Sequence, residues 1–360
     1  MMISPRPEVL AVTEAVHGAV NNAELIERGI DPRTVLDFSA SINPFGPSPQ
    51  VLEALTKVPI DRYPDREATE LRQALAARLD VPTESVIAGN GSSELLYLIA
   101  LAYLRPDDVV VIIGPTYSEY DRVATLMGAR ITPCDATGET GFQVPTELID
   151  RTLRSCRPRA LFLCNPNNPT AQCLPAEIIR QWADEFPQTL FIIDEAYIEF
   201  ASVSQSVVGT GESNVVVLRS LTKAYGLAGL RLGYAVASED IVRVLCRIRP
   251  PWSVSAVAQA AGIAAVADDQ YFQRCLQHHI EAKAQLEHGV RELGMCALPS
   301  AAPFFLVQVG DAAKVRSALF QFGILVRDCS SFGLAALIRL SPRCSADNVA
   351  LLTAMQSIMK

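Results

Sequence analysis

The chain has 360 residues, 49% of them apolar and 19% charged, so a sizeable core is within reach and disorder is not indicated. A formal net charge of −8 argues against a nucleic-acid partner, which calls for a basic face. The longest apolar runs, such as VVVIIG (109–114) and LFLC (161–164), fall far short of the roughly 20 residues that span a bilayer, so no membrane partner is expected.

Residues 1–30 read as an arm with a short helix. Its opening stretch, MMISPRPEVLAVTEAV, lacks the uninterrupted apolar run of a secretory leader. TVLDFSASINPFGPSP (34–49) is a short strand followed by turns. EATELRQALAARLD (67–80) has helical apolar spacing, and SVIAGNGSSELLYLIALAYL (85–104) reads as a tight loop opening a buried helix. DDVVVIIGP (107–115), RALFLCNPNNPT (159–170), QTLFIIDEAY (188–197) and NVVVLRS (214–220) are buried strands, with PAEIIRQWADEF (175–186) a helix among them. Their alternation predicts an α/β fold around a mostly parallel sheet. After a Pro-Pro break, 250–267 becomes an Ala-rich helix, a long helix covers 269–293, and 303–360 alternates short strands and helices. The expected organisation is an arm (1–30), a large domain (31–255) and a smaller C-terminal α/β domain (256–360).

The nine cysteines are odd in number and form no C-x-x-C pair, and several lie in apolar segments, as Cys164 and Cys246 do. Buried thiols in a reducing cytoplasm explain them better than disulfides. The histidines, His17, His278, His279 and His288, lack ligand spacing, so no metal is expected.

Polar residues gather at the predicted C-terminal ends of the strands, the edge where open α/β sheets bind ligands. Asn165–Thr170 follows one strand, Asp194, Glu195 and Tyr197 end the next, and Ser220 and Lys223 follow a third. Singly, each is a helix cap, a loop residue or a surface charge. Together they supply the parts of a pyridoxal-phosphate site. These are an amine to bond the cofactor aldehyde (Lys223), a carboxylate for the pyridinium nitrogen (Asp194), groups for the ring oxygen (Asn168, Tyr197), a loop before a helix N-terminus for the phosphate (Gly91, Ser92, Ser93) and a stacking ring (Tyr117). GNGSSE (89–94) lacks the third glycine of a dinucleotide fingerprint, and GTGESN (209–214) precedes a strand, so a nicotinamide cofactor is not favoured.

NPNNPT, DEAY and SLTKAYGLAGLRLGY resemble the matching segments of fold-type I pyridoxal-phosphate enzymes of the class I and II aminotransferase superfamily, over nearly the whole chain. The resemblance implies that Lys223 carries the cofactor and that Asp194 faces the ring nitrogen. It implies Ser220 and Arg231 at the cofactor phosphate beside Ser92 and Ser93. It also implies a homodimer in which Tyr63, of RYPD (62–65), reaches that phosphate from the partner subunit. Arg339, in LIRLS, would bind a substrate carboxylate.

Within the superfamily, the His17-Gly18 pair, DFSASINPFG (37–46), PWSV (251–254) and ILVRDC (324–329) resemble threonine-phosphate decarboxylases. That likeness implies a small phosphorylated amino acid as substrate, decarboxylated in cobalamin biosynthesis, with His17, Ser41 and Arg327 at its phosphate. The chain departs from the pattern at Ala19, Ser41 and Ala171. Histidinol-phosphate aminotransferases are the neighbouring alternative, because the same lysine would serve either reaction. A non-catalytic relative of the fold is a third.

Overall fold

The computed structural model describes residues 3–13, 18–19, 22–27, 29–201, 206–209 and 211–358. Among the described residues twelve strands follow in chain order: β1 (Leu36–Asp37), β2 (Val86–Asn90), β3 (Val109–Gly114), β4 (Arg130–Asp135), β5 (Ala160–Cys164), β6 (Leu190–Asp194), β7 (Val215–Ser220), β8 (Leu232–Ala237), β9 (Phe305–Gln308), β10 (Ile324–Leu325), β11 (Arg327–Asp328) and β12 (Leu337–Leu340). Seven of them form one sheet in the order β2-β8-β7-β6-β5-β3-β4. All its pairings are parallel except those of β8, which runs antiparallel to both β2 and β7.

The predicted α/β class and mostly parallel sheet are what the chain adopts. β5 and β6 are buried at every position, as strands covered on both faces must be, which is why they read as apolar runs without alternation. Two apolar clusters sandwich the sheet. One includes Leu71, Leu161, Phe191 and Val217, and the other Leu95, Val110, Phe162 and Leu218. A third, with Phe38, Phe305, Ile338 and Leu351, fills the space around a second sheet, β11-β12-β9.

Three features differ from expectation. β4 carries Arg130, Pro133 and Asp135 and lies at the sheet edge, where one row of backbone groups needs no partner, so polar residues and proline are tolerated. β8 lies inside the motif around Lys223 and is a strand because β2 and β7 both pair with it. The stretch before Gly91, expected to be a loop, is β2 itself, with Gly89 opposite Gly233. A side chain on Gly233 would stand 2.3 Å from the Ser92 nitrogen, so only glycine lets this strand and helix turn so closely.

An early and a late segment meet: β1 pairs in parallel with β10, Leu36 opposite Ile324. Ser341 N–H, just after β12, donates to the Phe38 carbonyl at 3.0 Å. This places Ser39 and Ser41 beside β12. Among the described residues no helix is long and apolar enough to cross a membrane.

Candidate active site

A small cavity of about 110 Å³ sits at the C-terminal ends of β2, β3, β5, β6 and β7. Gly91, Ser92, Ser93, Tyr117, Asn168, Asp194, Tyr197, Ser220, Lys223 and Arg231 all line it. Each strand delivers one to three of them, because these strands all end on the same edge. Arg231 arrives from the opposite direction, just ahead of antiparallel β8.

At one end of the cavity, the helix Gly91–Tyr103 starts without a side-chain cap from Asn90, leaving first-turn N–H groups for an anion. Gly91 has φ +75°, and a Cβ there would stand 3.0 Å from Arg231 Nη2. Ser220 and Thr222 share a hydroxyl hydrogen bond of 2.7 Å on the same side. Opposite, Asp194 is buried at the tip of β6. Its Oδ1 accepts the Ala196 N–H at 3.0 Å and its Oδ2 the Tyr120 hydroxyl at 2.8 Å. Burial pushes the Asp194 carboxyl up, while these two donors and Lys223 pull it back down.

Lys223 lies between these ends, its Nζ 6.0 Å from the Tyr197 ring centroid. Burial lowers its basicity to about 8; the Arg339 and Arg231 cations push the same way and Asp194 opposes them. Tyr197 and Tyr117 are both pushed up by burial, Tyr117 to about 12, so both phenols stay protonated.

Beyond Asn168 comes a pair of arginines. Arg339 is buried, with Nη1 donating to Asn168 Oδ1 and Nη2 to the Ser39 carbonyl at 2.7 Å. Its guanidinium lies 4.6 Å from the Phe304 ring centroid, and its Nε has no partner. Arg327 stands opposite it across β11 and β12, also buried, donating to Ser331 Oγ at 2.7 Å. Burial and Arg339 both lower its basicity. A cavity of about 440 Å³ opens on Arg327, lined also by Gly18, Ala19 and Arg316.

Two further expected residues are placed apart from the first cavity. Ser41 shares a hydroxyl hydrogen bond with Ser341 at 2.7 Å, and Tyr63 is 77% exposed, stacked on Trp252 with ring centroids 4.4 Å apart. His17 lies outside the described residues. Its neighbour Gly18 is so close to the arginines that a Cβ would stand 3.5 Å from both Arg327 Cδ and Arg339 Nη2. Tyr120, Cys164, Ala196 and Thr222 also line the first cavity and went unread in sequence. Tyr120 had a faint signal, three residues after Tyr117 at the start of a helix. A larger cavity, about 850 Å³ among Arg219, Tyr225, Phe272 and His279, holds none of the expected residues, so chemistry and not volume marks the site.

The family model for aminotransferase class I and II matches residues 33–358, and thus holds every strand just described. The chain belongs to that family. Within this aminotransferase family it is 33% identical to the histidinol-phosphate aminotransferase of Moorella thermoacetica, covering 98% of this chain and 92% of that protein. It is 36% identical to the enzyme of the same name from Roseiflexus castenholzii, covering 98% and 97%. The crystal structure of histidinol-phosphate aminotransferase from Sinorhizobium meliloti, in complex with pyridoxal-5'-phosphate, superposes with a TM-score of 0.88 at 25% identity, covering 100% of this chain and 98% of that one.

These relatives overturn the expected decarboxylation of threonine phosphate in cobalamin biosynthesis, since they are named as aminotransferases. The physical reason lies in what the motifs report. Residues of the types of Lys223, Asp194 and the expected phosphate cradle suit a cofactor common to both chemistries. The choice between breaking Cα–H and Cα–carboxylate rests on how substrate is held, which short arm and loop motifs do not encode.

Proposed function

We propose that this protein is a pyridoxal-phosphate-dependent aminotransferase that moves an amino group from a small phosphorylated amine, histidinol phosphate, to a 2-oxo acid. What supports the reading is an amine of lowered basicity, Lys223, in the field of a buried carboxylate, Asp194, and of the cations Arg339 and Arg231, with a second buried arginine, Arg327, opposite Arg339 on the neighbouring strand.

The cavity fits the cofactor. The uncapped helix start and the space that a side chain on Gly91 or Gly233 would fill suit its phosphate, with Arg231, Ser220 and Thr222 around it. Asp194 suits the ring nitrogen, and Asn168 and Tyr197 the ring oxygen. When bound, the cofactor supplies an aldehyde for amines and a ring that accepts electrons from the substrate's Cα.

The chain's own groups do the rest. Lys223 Nζ must be neutral to take the Cα proton, and the positive field of Arg339 and Arg231 with burial makes this accessible near pH 8. The resulting ammonium then returns the proton on the other side of the transfer. Arg327 and Arg339 would hold the substrate's anionic group and so fix which Cα bond faces the ring, a positioning effect worth several kcal/mol when geometry is good. The same arginines would take the carboxylates of a 2-oxo acid in the return half of the cycle.

Assembly as a homodimer is part of the reading, because Ile60, Tyr63 and Trp252 leave apolar surface open next to one another in sequence or by stacking. Light scattering should then give about twice the 39.0 kDa chain mass. A reducing cytoplasm suits the nine free cysteines.

The deciding experiment mixes protein loaded with pyridoxal phosphate, L-histidinol phosphate and 2-oxoglutarate. Glutamate should accumulate in step with loss of the amine. Release of CO₂ from a phosphorylated amino acid with no oxo acid present, and no glutamate formed, would overturn the proposal.

A further inference from the structure

Asp194 receives a side-chain donor that no motif in the sequence announces. Tyr120 lies fully inside the fold, on the helix Glu119–Leu126, and its hydroxyl meets Asp194 Oδ2 at 2.8 Å. The ring has little freedom. It stacks on Phe162 with centroids 5.5 Å apart and planes within 10° of parallel, and Tyr117 meets it edge-on at 5.6 Å. Tyr117 is itself a wall of the cavity.

We infer that Tyr120 is a positioning residue, which aims Asp194 into the cavity and holds it as an anion for a cationic ring nitrogen. This rests on the pyridoxal-phosphate reading above. A buried carboxylate tends to pick up a proton unless donors satisfy it. Asp194 faces Cys164 from β5, Glu195 and Tyr197 from its own strand end, Tyr117 and Tyr120 from beyond β3, and Lys223 from beyond β7. Glu195 disfavours the anion, whereas Lys223 favours it. The charge of Lys223 changes with its own protonation, whereas the neutral donors Tyr120 and Ala196 N–H keep a constant hold. Burial and the Asp194 charge drive the Tyr120 phenol far above its ordinary range, so it stays a donor at every working pH.

The test is Tyr120→Phe, which keeps the stacked ring and removes one oxygen. Two readouts are taken on purified protein: pyridoxal-phosphate affinity of the cofactor-free form, and the pH at which the visible absorbance of the loaded form titrates. Losing one hydrogen bond to a charged group should weaken affinity about tenfold and raise the titration by about one unit, because a less anionic Asp194 leaves less positive charge on the ring. Asp194→Asn should shift both further in the same direction. Adding Tyr120→Phe to Asp194→Asn should then change little, as expected for a residue acting through its partner. Phe162→Leu, which loosens the ring but keeps the hydroxyl, should give a smaller shift of the same sign. Unchanged affinity and titration in Tyr120→Phe would overturn the inference alone. Absence of any visible band in the parent protein would overturn the cofactor reading as well.

Discussion

Arg327 and Arg339 occupy directly opposed positions on β11 and β12, so two buried guanidinium groups share one face of a small antiparallel sheet. Like charges placed opposite one another are destabilising. Here the cost is met in part by hydrogen bonds to Ser331, Asn168 and the Ser39 carbonyl, and by the faces of Phe332 and Phe304. An anion between them would relieve the rest.

Phosphate or a phosphorylated amine should therefore stabilise the protein by mass action, by about 2.7 kcal/mol at a hundredfold excess over Kd. Thermal melts across a phosphate series should show the rise. Arg327→Ala should abolish most of it, while itself raising the melting temperature in phosphate-free buffer or leaving it little changed. A full phosphate response in Arg327→Ala would refute this role.

Arg339→Lys should lower kcat/KM roughly tenfold or more, although charge is kept. A lysine has no planar fork to reach Asn168 and Ser39 together while facing a ligand. Steady-state kinetics with both substrates would check it, and a parent-like value would count against the assignment.

Lys223 has a basicity lowered to about 8 in the folded protein from 10.5 as a free side chain. The unfolded chain thus binds the proton more tightly, and folding pays for the charged lysine below pH 8. That cost fades as pH rises from about 8 to 10.5. Cofactor-free Lys223→Met should be more stable than the parent at pH 7, with the gap closing across that window in denaturant titrations. The variant should also lack the visible band and turnover.

His279 is driven down to about 4 by burial and by Lys283, with its Nε2 3.1 Å from the Pro303 carbonyl. The unfolded state takes up a proton first, from about pH 6.5, so stability present above that pH is lost progressively towards pH 4. Replacing it by glutamine should flatten this acid limb, measured as urea midpoints at pH 7.5 and 5. An equally steep loss in the variant would show that other groups cause it.

Arg219 sits buried between Glu195 (2.8 Å) and Glu199 (3.3 Å) beneath the sheet edge that carries Ser220 and Asp194. Arg219→Leu strands two carboxylates and should cost about 3–5 kcal/mol. The denaturant midpoint should fall accordingly, and cofactor affinity with it, since β6 and β7 carry the site.

Regular apolar runs declared most of this molecule. β3, β5, β6 and β7 are buried on both faces, so their sequences need little context to be read as strands, and the polar residues that follow them fall on one edge by topology alone. That made the set around Lys223 and Asp194, which lines one cavity, legible, because the expected chemistry calls for those residue types. β4 and β8 were not legible, since their pairing partners and not their own patterns make them strands. Tyr120 was hidden for a similar reason. Its spacing from Tyr117 does not distinguish a tyrosine that packs in a core from one whose hydroxyl meets a carboxylate 74 positions away. The return of Ser39 and Ser41 to β12 likewise joins segments about 300 residues apart. Local propensity and covalent spacing decided the elements and the cofactor. Long-range packing decided that Arg339 meets Asn168 and the Ser39 carbonyl, because distances between groups far apart in sequence exist only once the chain has closed on itself.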